Sequence, residues 1–253
     1  MKTEIIYEDQ DILICHKPAG LATQSASVSQ PDVVSELKRY LGGGYLGIVH
    51  RLDQPVEGLL VFARSKRAAA VLSRQLAEGI LQKRYCALVY GHPPQEEGLL
   101  VDYLRKEGSL SRVASEGDQE AKKAVLQYRV RRADECAAAG RHSAGSGYGD
   151  VIRGSGTQGN AVHGGATQSG TSTVGHSCLD IQIDTGRFHQ IRCQLSHAGM
   201  PILGDRNSGT EESLEESKRL GITQTALCAC EIHLWHPVTG QEICREIVPG
   251  WMT

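Results

Sequence analysis

The segment His50-Arg51-Leu52-Asp53-Gln54-Pro55-Val56-Glu57-Gly58-Leu59 holds the residues best suited to chemistry. An arginine and an aspartate flank one leucine, and an apolar run, Leu59-Leu60-Val61-Phe62, follows the glycine. In a β-strand side chains alternate between the two faces, so Arg51 and Asp53 would share a face and Leu52 would take the other. A carboxylate beside a guanidinium is held ionised and oriented, because opposite charge at short range favours the charged form. Such a group serves as a nucleophile or as an electrostatic stabiliser. The same spacing also describes a surface ion pair at a strand end, which would do little.

Other chemistries fit less well. Cys228 and Cys230 with His233 and His236 suggest zinc, but one residue separates the cysteines where zinc sites use about two to four. That segment also alternates as a strand does. Gly42-Gly43-Gly44 is not followed by Lys-Ser/Thr, so it reads as a loop rather than a phosphate cradle. No Gly-x-Ser-x-Gly elbow is present.

The elements that would position these residues follow from periodicity and punctuation. Residues 4–8 and 12–17 read as a hairpin around Asp9-Gln10-Asp11. Residues 32–41 read as a helix capped by Asp32, with Val33, Val34, Leu37 and Tyr40 at helical spacing. Residues 48–63 read as a strand bearing Arg51 and Asp53, a turn at Gln54-Pro55 and a second strand. Ser65 caps a helix that Gly79 stops, with Ala69, Leu72 and Leu76 as its apolar stripe. Residues 84–90, 124–131, 179–183, 226–235 and 242–248 read as strands. Residues 188–198 read as a helix with Phe188, Ile191 and Leu195 on one face. Residues 137–177 are dominated by Gly, Ser, Ala and Thr, and cannot bury enough apolar surface to offset ordering. They are expected to form a flexible, low-complexity insertion. Arg141, His142, Arg153 and His163 leave an RNA clamp as a second reading of it.

The 253 residues suffice for a substantial core, and 40% hydrophobic with 22% charged residues is ordinary for a globular protein. No apolar run reaches membrane-spanning length and no signal core is visible, which points to the cytoplasm. The eight cysteines lack a disulfide-scaffold spacing and read as buried thiols. The net charge of −2 neither supports nor excludes RNA. Basic residues cluster between Arg64 and Arg132, whereas acid gathers at Glu211, Glu212, Glu215 and Glu216.

His50-Arg51-Leu52-Asp53 with Gly58-Leu59-Leu60 resembles the catalytic motif of the RluA-type pseudouridine synthases. Tyr7 to Leu21, containing Lys17-Pro18-Ala19-Gly20, is similar to that family's opening strands and Lys-Pro-x-Gly loop. Lys83-Arg84-Tyr85-Cys86-Ala87 resembles its Lys-x-Tyr-x-Ala segment. Thr185-Gly186-Arg187-Phe188-His189-Gln190-Ile191-Arg192, with Pro201-Ile202-Leu203-Gly204-Asp205, resembles its third motif. His236-Pro237-Val238-Thr239-Gly240 resembles its C-terminal turn. The resemblance implies an α+β fold around a mixed, largely antiparallel bent β-sheet flanked by helices and loops, with the active cleft across the sheet. It implies one catalytic domain over residues 1–253, without the S4-type RNA-binding domain found ahead of it in many members. The implied reaction turns a uridine of ribosomal or transfer RNA into pseudouridine without cofactor or metal. A monomer with no obligatory protein partner and no membrane is expected.

Residue by residue, Asp53 matches the family's catalytic aspartate and Arg187 the arginine that pairs with it, so loss of Arg187 is expected to stop turnover. Tyr85 matches the tyrosine that stacks on the flipped uracil. Arg51, Lys17, His50 and Arg192 are placed on the substrate side: Arg51 beside the flipped nucleotide and Lys17 in an RNA-facing loop that contacts phosphate. His50, His189, Gln190 and Arg192 read more as support and packing than as chemistry. Two positions depart from the family: Val56-Glu57 stands where many members have Thr-Ser, and Phe188 where many have Thr. An acidic Glu57 near RNA would be unfavourable unless it points away. A non-catalytic RNA-binding or ribosome-assembly protein on the same fold is the alternative.

Overall fold

The computed structural model describes residues 1–132 and 175–252, apart from residues 26 and 28. Among them one eleven-stranded sheet carries four helices. The strands are β1 (Glu4–Glu8), β2 (Ile12–Lys17), β3 (Gly47–Ile48), β4 (Glu57–Ala63), β5 (Gln82–Tyr90), β6 (Glu97–Glu107), β7 (Leu110–Ala114), β8 (Lys122–Val130), β9 (His176–Ile183), β10 (Leu227–Trp235) and β11 (Glu242–Glu246). Their order is β1-β2-β4-β10-β5-β9-β8-β6-β7, with β3 on β4 and β11 on β10. Neighbours are antiparallel except β4 and β10, which run parallel. The fold is therefore α+β with a mixed, mostly antiparallel sheet.

Strand alternation sorts the apolar residues into two cores. From β2 and β4, Leu13, Cys15, Leu60 and Phe62 enter one core, and Ile12, Ile14, Leu59, Val61 and Ala63 enter the other. The first core is covered by α1 (Val33–Tyr40), through Val33, Val34 and Leu37, and by α3 (Gln190–His197), through Ile191 and Leu195. The second is covered by α2 (Lys66–Ala77), through Ala68 and Leu72. Asp32 and Ser65 cap α1 and α2 by accepting from the backbone N–H groups of Ser35 and Ala68, as the sequence leads one to expect. The fourth helix, α4 (Glu211–Arg219), starts in a reciprocal capping box between Thr210 and Ser213.

The structure corrects several expectations. The strand expected to carry Arg51 and Asp53 ends at Ile48, and residues 49–56 form a loop before β4. Gly58 explains this sharp entry. At φ +138° it sits against Ala229, and a Cβ there would lie 2.5 Å from the Ala229 backbone nitrogen, so only glycine lets β4 meet β10. The insertion expected at 137–177 lies outside the described residues up to 174, and His176 and Ser177 already belong to β9. Cys244 is exposed rather than buried. Cys228 and Cys230 are buried on β10, whereas His233 bonds Glu242 and His236 bonds Asp9. No described helix is long and apolar enough to cross a membrane.

Candidate active site

Asp53 sits in the 49–56 loop, where Leu52 and Val56 plunge into the first core and leave its carboxylate at the surface, with 25% of the side chain exposed. Its cationic neighbour is Arg192 of α3, whose Nη1 is 3.4 Å from Asp53 Oδ2. Arg192 is almost fully enclosed, with 2% of its side chain exposed. Nε and Nη2 donate to the two carboxylate oxygens of Asp205, each at 2.7 Å. Bidentate charge-assisted bonds of this kind are strong and directional. Burial opposes the charge on both partners, but their mutual bonds prevail: the Asp205 carboxyl is held below the usual carboxylate range and Arg192 is raised further above neutrality.

Asp205 is itself fixed. Backbone N–H groups of Asn207 and Ser208 donate to its Oδ1. The preceding loop is stitched to the end of β5 by Tyr90 N to Pro201 O and Leu203 N to Leu88 O, both 2.9 Å. Gly204, at φ +74°, passes so close to Gln224 that a Cβ would meet its carbonyl oxygen at 2.0 Å. Gln190 locks the start of α3: its Oε1 accepts from Thr185 Oγ1 and Arg187 N, and its Nε2 donates to Val125 O on β8.

His189 closes one side of the carboxylate, with Nε2 3.6 Å from Asp53 Oδ2. Burial holds its imidazole below the ordinary histidine range, against the pull of Asp53. It is the single non-glycine residue with positive φ (51°) among those described, and its Nδ1 is buried without a hydrogen-bond partner. Local strain of this sort collects at functional sites.

The other expected site residues fall in different places. Arg187 is not brought to Asp53. It is exposed and donates from Nε to the Lys123 carbonyl at 2.9 Å, and the position expected for it is taken by Arg192, five residues on. Arg192 accordingly faces the interior rather than the substrate side. Arg51 is exposed and donates from Nη2 to Gln24 Oε1, so it does not pair with Asp53. Lys17 does not face solvent: it is fully buried and its ammonium donates to the carbonyls of Pro18, Leu21 and Gln54. Burial pushes its pKa down to about 8. It thereby staples the Pro18–Leu21 turn to the residue next to Asp53, and Gly20 N adds a 2.8 Å bond to Gln54 O. His50 is also buried, accepting Val61 N–H at Nε2. Tyr85 lies on β5 in the core cluster that contains Leu52 and Val56. Glu57 points away from the opening, bonded to His16 and to the backbone of Gly250. Asp205 is the part that residue-type reasoning passed over, and His189, read there as support, lies within reach of the Asp53 carboxylate. Asp205 stands inside a matched motif, yet nothing local in Gly204-Asp205 tells that its partner lies thirteen residues earlier.

Comparison with known proteins places the chain in a family. The RNA pseudouridylate synthase family profile matches residues 11–197. The Dual-specificity RNA pseudouridine synthase RluA of Vibrio parahaemolyticus is 30% identical over 242 residues, covering 93% of this chain and 78% of that protein. The tRNA pseudouridine synthase C of Yersinia pestis is 29% identical over 247 residues, covering 95% and 84%. The Ribosomal large subunit pseudouridine synthase D of Zymomonas mobilis is 26% identical over 251 residues, covering 95% and 67%. The structure of Human RNA Pseudouridylate Synthase Domain Containing 4 shares the fold, with a TM-score of 0.67 at 19% identity over 97% of this chain and 88% of that one. The chain belongs to the RNA pseudouridylate synthase family, as an RluA-type member, and is an RNA pseudouridine synthase, an isomerase.

Proposed function

We propose that this enzyme isomerises a uridine of ribosomal or transfer RNA to pseudouridine with Asp53 as its catalytic carboxylate, as one catalytic domain acting as a monomer. The names of its relatives supply the two kinds of RNA. In the reaction the bond from C1′ to N1 breaks, the uracil turns, and C5 joins C1′ while C5 gives up a proton and N1 takes one. Nothing is oxidised and no water is consumed. The uridine must leave its stack, which costs a few kcal/mol and favours loops or loosened helices as targets.

The observation that carries the assignment is a surface carboxylate aimed by a buried guanidinium that is itself anchored. Groups held in this way need no reorganisation during reaction. Asp53 attacks the sugar or base, or takes the C2′ proton, and either role needs its open side towards the flipped nucleotide. Tyr85 is assigned to stack on the uracil, Arg51 to contact RNA at the rim, and Lys17, His50 and Arg192 to position the Asp53 loop from behind.

The test is pseudouridine mapping across all RNA of a strain deleted for this chain and restored with wild type or Asp53→Asn. Sites that vanish and return only with wild type support the reading and name the substrate. Full restoration by Asp53→Asn would mean that Asp53 is not the catalytic carboxylate.

A further inference from the structure

We infer that Phe188 and Lys106 form a subsite for one unpaired nucleotide beside the reacting uridine, the base stacking on the Phe188 ring and its phosphate meeting the Lys106 ammonium. The inference rests on Asp53 marking the reaction centre.

Phe188 is 40% exposed, although the chain has two phenylalanines and the other, Phe62, is fully buried. Its ring is parallel to that of His189, at 3.8 Å between centroids and 22° between planes. His189 in turn reaches Asp53, so a base added to this stack lies next to the reacting nucleotide. The backbone that carries the ring is held, because the Phe188 carbonyl accepts from the Ser111 hydroxyl on β7 and the next residue, His189, is left-handed.

One cation rests on the exposed ring, and two more lie near it in the chain or on the Arg187 bond to β8. Lys106 Nζ is 4.8 Å from the Phe188 centroid, and Lys106, Arg187 and Lys123 are all exposed. A flat apolar surface with flexible cations at its edge suits an unpaired base and its phosphate, since every base offers a π-face and the backbone offers charge. The lysine now resting on the ring is exposed and unbranched, so an entering base displaces it at little cost and leaves it to meet the phosphate. Such a subsite reads flexibility rather than identity, favouring uridines whose neighbour can also unstack.

The test compares binding of a short single-stranded RNA of mixed sequence with that of an abasic ribose-phosphate chain of equal length. Wild type is expected to prefer the RNA by about tenfold to a hundredfold. Phe188→Ala should lower that preference several-fold, leaving the share due to Tyr85, and Phe188→Trp should keep it, with the new indole quenched by the RNA beyond any quenching in wild type. Lys106→Gln should weaken both ligands alike and flatten the salt dependence. An undiminished preference in Phe188→Ala, or an unquenched Phe188→Trp, overturns the subsite. Binding is read here without turnover. A null pseudouridine map with the base preference intact therefore removes the proposed reaction and leaves the subsite, and the reverse result does the opposite.

Discussion

Arg192 Nη1 stands 3.4 Å from Asp53 Oδ2, while the other two guanidinium nitrogens are spent on Asp205 at 2.7 Å. The shorter, bidentate contact is the anchor and the longer one the pointer. Breaking a buried pair by removing one partner leaves an uncompensated charge and costs about 3–5 kcal/mol. Asp205→Asn is therefore expected to lower the free energy of unfolding by that order, read by denaturant titration. Arg192→Lys keeps a charge but cannot hold Asp205 with two parallel bonds and still reach Asp53. Its kcat should fall by about a hundredfold, the scale for a misplaced reacting group. Wild-type kcat in Arg192→Lys would rule out the pointing role.

Arg187 and Arg192 exchange the parts that motif matching expects of them. Arg187 is exposed and bonded to a backbone carbonyl, so Arg187→Ala should change kcat less than about threefold while raising KM for RNA, as loss of a phosphate contact does. Arg192→Met should stop turnover. Single-turnover rates at saturating RNA separate the two, and an Arg187→Ala rate near zero on bound RNA would restore the original expectation.

The placement of Arg192 rather than Arg187 at Asp53 separates what a sequence carries locally from what it does not. Local grammar is legible: Asp32 and Ser65 announce their helices, and the apolar runs of β2, β4 and β10 read as strands, which the structure buries on both faces. The Thr210 capping box, acidic first turn and basic end of α4 were equally readable but hidden by treating its glutamates only as charge. Long-range facts were not legible. Arg187 and Arg192 sit in one octapeptide, and which of them turns inward depends on Gln190 bonding Val125 and on a left-handed His189. The Lys-Pro-x-Gly loop suggests an RNA-facing Lys17, in keeping with how rarely lysines lose all exposure. Three carbonyls drawn from two loops allow it, and no spacing reveals them.

Lys17 offers a direct check of that burial. Its ammonium should titrate near pH 8 by NMR, rather than near the ordinary lysine value of about 10.5. Because the folded pKa is depressed, the folded chain binds fewer protons than the unfolded chain between those values, and this group alone raises stability as pH climbs through the window. Lys17→Met removes all three bonds to the carbonyls and should lower kcat at least tenfold by freeing the Asp53 loop. A titration near the ordinary lysine value would contradict the buried staple.

His50 sets the acid side of the stability profile. Nε2 accepts the Val61 N–H, which requires the neutral ring with its proton on Nδ1, and burial holds the imidazole well below the usual histidine range. A group whose folded pKa is depressed leaves the unfolded chain with more protons as pH drops below about 6.5, so stability is lost on acidification. His16 has the opposite sign, since its bond to Glu57 raises its pKa, but it is present in both proteins of a comparison and cancels. The difference in unfolding free energy between wild type and His50→Gln should therefore change with pH below about 6.5, approaching a slope of about 1.4 kcal/mol per unit. Above pH 7 it should be flat. Parallel curves for the two proteins from pH 7 down to pH 5 would show that His50 takes up its proton in the folded state as readily as in the unfolded one.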